Sequence, residues 1–178
     1  MGPGPGEPAQ GEAASVKHYS DNGYTSINGL LRTSGQPHVS GFAMVKKGPM
    51  SVVALAHIEN LKKALSRQPV PETIDVFRSV RMHRDLFTVP MEELPGTVQR
   101  DPAFLSTNIG KSSVWHYDVV MHLRVPEGTP ALYLDPISHH AGERELLLGP
   151  GRSWFVEDVQ RRDHQWHVYG WILPEGAG

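Results

Sequence analysis

Gly142-Glu143-Arg144-Glu145-Leu146-Leu147-Leu148, followed by Gly149-Pro150-Gly151, sets two carboxylates two residues apart at the mouth of an apolar run. A run this short, bounded by glycines, reads as a strand. Side chains alternate faces along a strand, so Glu143 and Glu145 are expected to point the same way. Like charges on one face repel, and inside a cleft that repulsion raises one of the two pKa values. Taken alone, the pair fits a solvated strand edge better than a catalytic site, because surface carboxylates are common.

The residues upstream fall into two halves. Helical patterning comes first. Asp21 or Asn22 is placed to cap a short helix carrying Tyr24, Ile27 and Leu31. The segment from Thr33 to Pro49 is broken by Gly35, Pro37, Gly41 and Gly48 and reads as loop. Ser51 then opens a stronger helix to about Leu65, with Ala54, Ile58, Leu61 and Leu65 as its buried stripe. Pro69 and Pro71 end it.

Strand patterning follows. Ile74 to Val80 is a strand in which Arg78 shares its parity with Ile74, Val76 and Val80. A guanidinium on an apolar face is costly unless it is paired or meets an anion. Arg84 to Leu94 is expected as a short helix and Ala103 to Thr107 as a strand. Between Val114 and Leu123, Trp115, Tyr117, Val119, Met121 and Leu123 share one face, with His116, Asp118 and His122 on the other. Further strands are expected at 131–134, 145–148, 153–159 and 164–173, the last two joined by a turn at Arg161-Arg162-Asp163. Helices followed by a run of strands imply an α+β protein with mainly antiparallel sheets.

Residues 1–15, rich in glycine and proline, are expected to be a disordered linker or tag, and 16–178 a single domain. A net charge of −2 gives no global attraction to nucleic acid or to an anionic membrane surface, and no apolar run reaches the ~20 residues of a membrane span. Without cysteine there is no disulfide, thiol nucleophile or cysteine-held zinc. The ten histidines show no metal-ligand spacing: His139 and His140 are adjacent, and His164 and His167 fall on opposite faces of a strand. No Gly-x-Ser-x-Gly elbow and no glycine-rich phosphate loop is present. No metal site is expected.

Arg78 in one strand, Ser106-Thr107 closing a second and Glu143-x-Glu145 opening a third form an ordered set. That order resembles the arginine, serine and paired-glutamate signature of mono-ADP-ribosyltransferases of the binary-toxin and ectoenzyme type. Val76-Phe77-Arg78-Ser79 resembles the family's aromatic-arginine strand, and Phe104-Leu105-Ser106-Thr107-Asn108 its Ser-Thr-Ser motif. Ile137 to Glu145 resembles the loop leading into Glu-x-Glu, and Tyr24 to Arg32 a family helix carrying Ile-Asn and Leu-Arg. The resemblance covers about residues 16 to 173.

The resemblance implies N-terminal helices followed by two packed, mainly antiparallel sheets around an NAD cleft. It implies an NAD-dependent transferase that modifies an arginine of a target protein, with NAD as substrate and no metal. The corresponding catalytic set is Glu145, Glu143 and Ser106, and the NAD-binding set is Arg78, Ser79, Ser106, Thr107, Asn108 and Glu145. In these roles Glu145 holds the ribose and stabilises the ribosyl cation, and Glu143 orients and deprotonates the acceptor. Arg78 grips the diphosphate, Ser106 positions Glu145, Thr107 shapes the nicotinamide-ribose side and the backbone at Ser79 meets the nicotinamide amide. The sequence departs from the pattern where Asn108 replaces a serine, Ser79 replaces a frequent glycine, and His139-His140 replace an acceptor-guiding aromatic. Trp115 fits a nicotinamide-lining position but fits a core strand better. The resemblance further implies a monomeric toxin or effector, secreted and delivered into a host or competitor cell without a Sec-type signal in this chain. An NAD glycohydrolase and a catalytically inactive binding module are the alternatives.

Overall fold

A computed structural model describes residues 10–19, 27–28, 31, 38–40, 43–45, 49–82, 86–110, 117–134 and 144–175. Its elements are α1 (Gln10–His18), β1 (His38–Ser40), β2 (Ala43–Val45), α2 (Pro49–Ser66), β3 (Ile74–Val80), β4 (Val98–Arg100), β5 (Leu105–Asn108), β6 (Val119–Val125), β7 (Ala131–Tyr133), β8 (Glu145–Leu148), β9 (Ser153–Arg162) and β10 (Gln165–Ile172).

The helices-then-strands order makes an α+β fold whose main sheet runs β4-β9-β10-β6-β3-β5-β8-β7. All its pairings are antiparallel except β6 with β10. The sheet has a seam. β3 and β6 align over seven residue pairs, whereas β3 and β5 share one, Phe77 with Asn108. The strands therefore divide into β4-β9-β10-β6-β3 on one side and β5-β8-β7 on the other, two parts joined at this seam that contribute to one hydrophobic core.

Burial follows this division. Val76, Met121 and Leu123 from the five-stranded sheet meet Leu105, Leu146 and Leu148 from the three-stranded one. On the opposite face of the three-stranded sheet, Phe104, Leu132 and Leu147 pack under Val16 of α1, Tyr19 just after it, and Ile58, Leu61 and Leu65 of α2. Leu146, Leu147 and Leu148 are consecutive because β8 is covered on both faces, which turns an alternating pattern into a continuous apolar one.

Several sequence expectations need correction. The helix Gln10–His18 lies partly inside the segment expected to be a disordered linker through residue 15. Ala13 and Ala14 favour helix, and Lys17 and His18 at its last turn suit the helix dipole. Contacts with α2 and the residue that follows it hold α1: Arg67 Nη1 donates to the buried Glu12 carboxylate at 2.8 Å, and Ser15 Oγ lies 2.7 Å from His57 Nδ1. The broken segment after Thr33 contains the antiparallel pair β1–β2. α2 starts two residues early, at Pro49, because proline's fixed φ suits the first helical turn. Of the helix expected over 84–94, the described residues 86–94 hold one 3₁₀ turn, Met91–Glu93, since Pro90 interrupts the pattern. β9 runs on to Arg162, and the turn falls at Asp163 and His164, with φ of 51° and 64°. Both residues take the left-handed geometry that matches hairpin twist, so His164 lies in the turn rather than in β10. Asp21, Asn22, Tyr24, Trp115, His116 and His139 to Glu143 lie outside the described residues.

Gly170 marks a bulge in the β9–β10 ladder. A Cβ there would stand 2.3 Å from the Phe155 carbonyl oxygen, so only glycine permits this backbone approach.

Candidate functional site

β5 and β8 run antiparallel with Asn108 opposite Glu145 and Ser106 opposite Leu147. Along β5, Leu105 and Thr107 are buried while Ser106 and Asn108 are partly exposed. Ser106, Asn108 and Glu145 accordingly share the face that the helices cover farther along the strands. Past the end of that cover the face turns polar.

Three of the expected residues meet here. The Ser106 hydroxyl donates to Glu145 Oε1, and Arg78 Nη1 donates to the Ser106 carbonyl oxygen at 2.9 Å. Arg78 reaches across the seam from β3, so one residue of β5 is tied to the glutamate through its side chain and to the arginine through its backbone. Its place on an apolar strand face is thereby explained: part of the guanidinium's donor capacity is satisfied by a strand carbonyl, which lowers the cost of burial.

Thr107 is not brought to this face. It is fully buried, and its hydroxyl donates to the Leu146 carbonyl oxygen at 2.7 Å, cross-linking β5 to β8 behind Ser106. Ser79 is half-buried, and strand alternation sends its side chain to the opposite face of β3 from Arg78. Asn108 sits at the seam, opposite both Phe77 and Glu145.

The described strand does not extend back to the first of the two glutamates. β8 begins only at Glu145, and Arg144 before it has φ 50°. A non-glycine residue in the left-handed region costs roughly 1–2 kcal/mol and turns the chain sharply, so the strand alternation of β8 does not run back through Arg144. The bend is held on both sides: the Arg144 carbonyl accepts from Ile109 N at 3.0 Å, and the Glu145 carbonyl from Leu134 N at 3.0 Å. Glu143 itself lies outside the described residues. Among the described residues, no group of three or more metal-ligating side chains comes together.

The fold gives a role to Asn28, the asparagine of the Ile-Asn pair. It is buried, donates from Nδ2 to the Tyr19 hydroxyl at 2.9 Å and accepts from Phe104 N at 3.1 Å. It thus fixes the backbone two residues ahead of Ser106. The signal in the sequence was an amide beside a core isoleucine, in a helix otherwise sided by apolar residues.

Comparison with known proteins places this arrangement. A family model described as ADP-ribosyltransferase exoenzyme matches residues 6–169. Mono-ADP-ribosyltransferase C3 of the Clostridium botulinum C phage is 21% identical over 167 residues, covering 84% of this chain and 64% of that protein. The chain thus spans less than two thirds of that relative's length. Plx2a, an ADP-ribosyltransferase toxin from Paenibacillus larvae, superposes with a TM-score of 0.76 at 21% identity, over 93% of this chain and 87% of its own. C3stau2 from S. aureus, solved with NAD, gives 0.77 at 15% identity, over 96% and 90%.

Proposed function

The chain belongs to the ADP-ribosyltransferase exoenzyme family, and on that premise we propose that it splits NAD and transfers ADP-ribose to an arginine of a target protein. The observation that carries this reading is the link from Arg78 through Ser106 to Glu145 across the seam between the sheets.

Cleavage of the nicotinamide–ribose bond sends the bonding electron pair out with neutral nicotinamide and leaves a ribosyl oxocarbenium ion. A carboxylate fixed beside that ring stabilises charge that develops only on the way to the transition state. Glu145 takes this role, holding the ribose 2′-hydroxyl, with Ser106 fixing its carboxylate. Arg78 is the diphosphate ligand, since its forked donors match phosphate oxygens. The backbone at Ser79 meets the nicotinamide amide, and Asn108 borders Glu145 on the ribose side. Thr107 acts from behind, by locking β5 to β8.

The acceptor guanidinium then bonds to the ribose C1′ and must lose a proton. Glu143 is the residue proposed to orient it and take that proton. The chain acts as a toxin or effector on a protein inside another cell. No helix among the described residues is long and apolar enough to cross a membrane.

Glu143→Gln separates the two halves of the reaction. With labelled NAD and a cell lysate, the variant is expected to lose protein labelling while still releasing nicotinamide. Equal loss of both would overturn the role of Glu143. Mass-spectrometric mapping of the modification to a residue other than arginine would overturn the acceptor.

A further inference from the structure

A groove of 590 Å³ lies at the other end of β8, between the last turns of α2, the end of β4 and the β8–β9 loop. Leu65, Pro102 and Pro130 form its apolar side, and Lys62, Arg100, Arg152 and Glu175 supply its charges. We propose that this groove binds a soluble phosphomonoester with an apolar body, its phosphate held by Arg152 and Arg100.

Arg152 carries the argument. It is only 8% exposed, yet among the described residues its guanidinium makes no hydrogen bond and no ion pair. Arginines in proteins normally snorkel to water or pair with a carboxylate, because a buried, unpaired charge is costly. Arg152 pairs with no carboxylate among the described residues, and its guanidinium meets solvent at the groove that it lines.

Arg100 is built in beside it. The Gly151 N–H donates to the Asp101 carbonyl at 3.0 Å, and the Asp101 N–H to the Arg152 carbonyl at 3.4 Å. These reciprocal bonds lock the Arg100-Asp101 and Gly151-Arg152 pairs side by side. Gly151 has φ 74°, and a Cβ there would stand 2.8 Å from Arg100 Nη2. The missing side chain is what lets the Arg100 guanidinium lie against the loop.

Three cations against Glu175 leave a lining charge of +2. Lys62 also has Glu59 at 3.6 Å, which leaves the two guanidiniums as the groove's unpaired cations among the described residues. A phosphomonoester carries close to two negative charges at neutral pH and presents oxygens suited to two forked donors, whereas a carboxylate brings one charge. The volume falls in the range of small-molecule sites, and the leucine and prolines offer a surface for the body of the ligand. By the rise of a strand, the four residues of β8 put this groove roughly 13 Å or more from Glu145.

Calorimetric titration of the full chain with phenyl phosphate, inorganic phosphate and benzoate tests the assignment. Phenyl phosphate is expected to bind about tenfold tighter than either of the others, since only it supplies both the dianion and the apolar body. Arg152→Gln and Arg100→Gln are each expected to weaken it about tenfold. Arg100 is exposed, so its variant keeps the fold even if Arg152→Gln does not. Failure of phenyl phosphate to bind at millimolar concentration overturns the proposal, as does unchanged affinity in Arg100→Gln. Displacement of phenyl phosphate by NAD, or its loss in Glu145→Gln, would place binding at the catalytic face and also overturn it. Cosedimentation with phosphatidic acid vesicles without phenyl phosphate binding would assign the groove to a membrane phosphate instead of a soluble one.

Discussion

The two ends of β8 treat charge in opposite ways. At its start, Glu145 and Ser106 are bonded to each other, and Arg78 is bonded to the Ser106 backbone. At its far end, Arg152 is nearly as hidden as the core and has no partner among the described residues. A bonded polar cluster is preorganised, because its geometry is set before a ligand arrives. An unpartnered buried cation is poised, because an anion would relieve its cost. One short strand thus joins a site arranged for chemistry to a groove arranged for capture.

The largest expected effect falls on the first end alone. Glu145→Gln should lower nicotinamide release by about 10³-fold, in line with removal of a preorganised charge-stabilising group. Phenyl phosphate binding in the groove should be unchanged in the same variant. If both are lost, the two ends are not independent.

Leu147→Ala strikes the strand between them. Leu147 is fully buried under the helices, so its truncation should cost about 2–5 kcal/mol in denaturant unfolding. A cost below about 1 kcal/mol would mean that β8 is not the rigid link described.

Ser106→Ala removes one hydroxyl and leaves the carboxylate. Bonds to charged groups contribute about 1.5–3 kcal/mol, so the turnover rate should fall by about 10- to 100-fold with little change in melting temperature. An unchanged rate would show that the bond does not position Glu145.

The smallest effect concerns pH and the face of the five-stranded sheet away from the core. His122 Nε2 and His167 Nδ1 lie 2.9 Å apart, with His122 stacked on Tyr169. Burial, then the nearby Arg162, hold His167 below the ordinary histidine value, outweighing the opposite pull of Asp163. Burial and the stacked His18 do the same to His57. The unfolded chain therefore takes up protons first as pH falls. Stability should be full above about 6.5 and decline as pH drops from there toward the lower folded values. Chemical denaturation at several pH values checks this, and His167→Gln should flatten the decline. Stability that rises on acidification would overturn the sign.

Much of this fold is legible in the residue pattern because its strands are short, punctuated and one-sided. β3 and β8 have the limits that the sequence implies, and the positions of Arg78, Ser106 and Glu145 in the strand order follow from them. The failures have specific causes. α1 is held by Arg67, far away in the chain, and two alanines among glycines and prolines do not by themselves reveal that residues 10–15 fold. Arg144 breaks the strand period with a left-handed φ that its residue type does not announce. Ser106 and Thr107 look equivalent as neighbours, and only their registry with β8 shows which hydroxyl faces Glu145 and which cross-links the strands.

Local periodicity, turn residues and motif order by themselves determined the α+β class, the strand sequence and the family resemblance. Those properties depend on neighbours in the chain and on the energetics of burying one face. Tertiary structure alone decided that the two sheets join at the single pair of Phe77 with Asn108, and that Asn28 holds the approach to Ser106. It alone decided that Arg100 and Arg152, unpaired among the described residues, line one groove. Each of these depends on which strands become neighbours and on whether a charge finds a counterion, and that is settled only when distant parts of the chain pack.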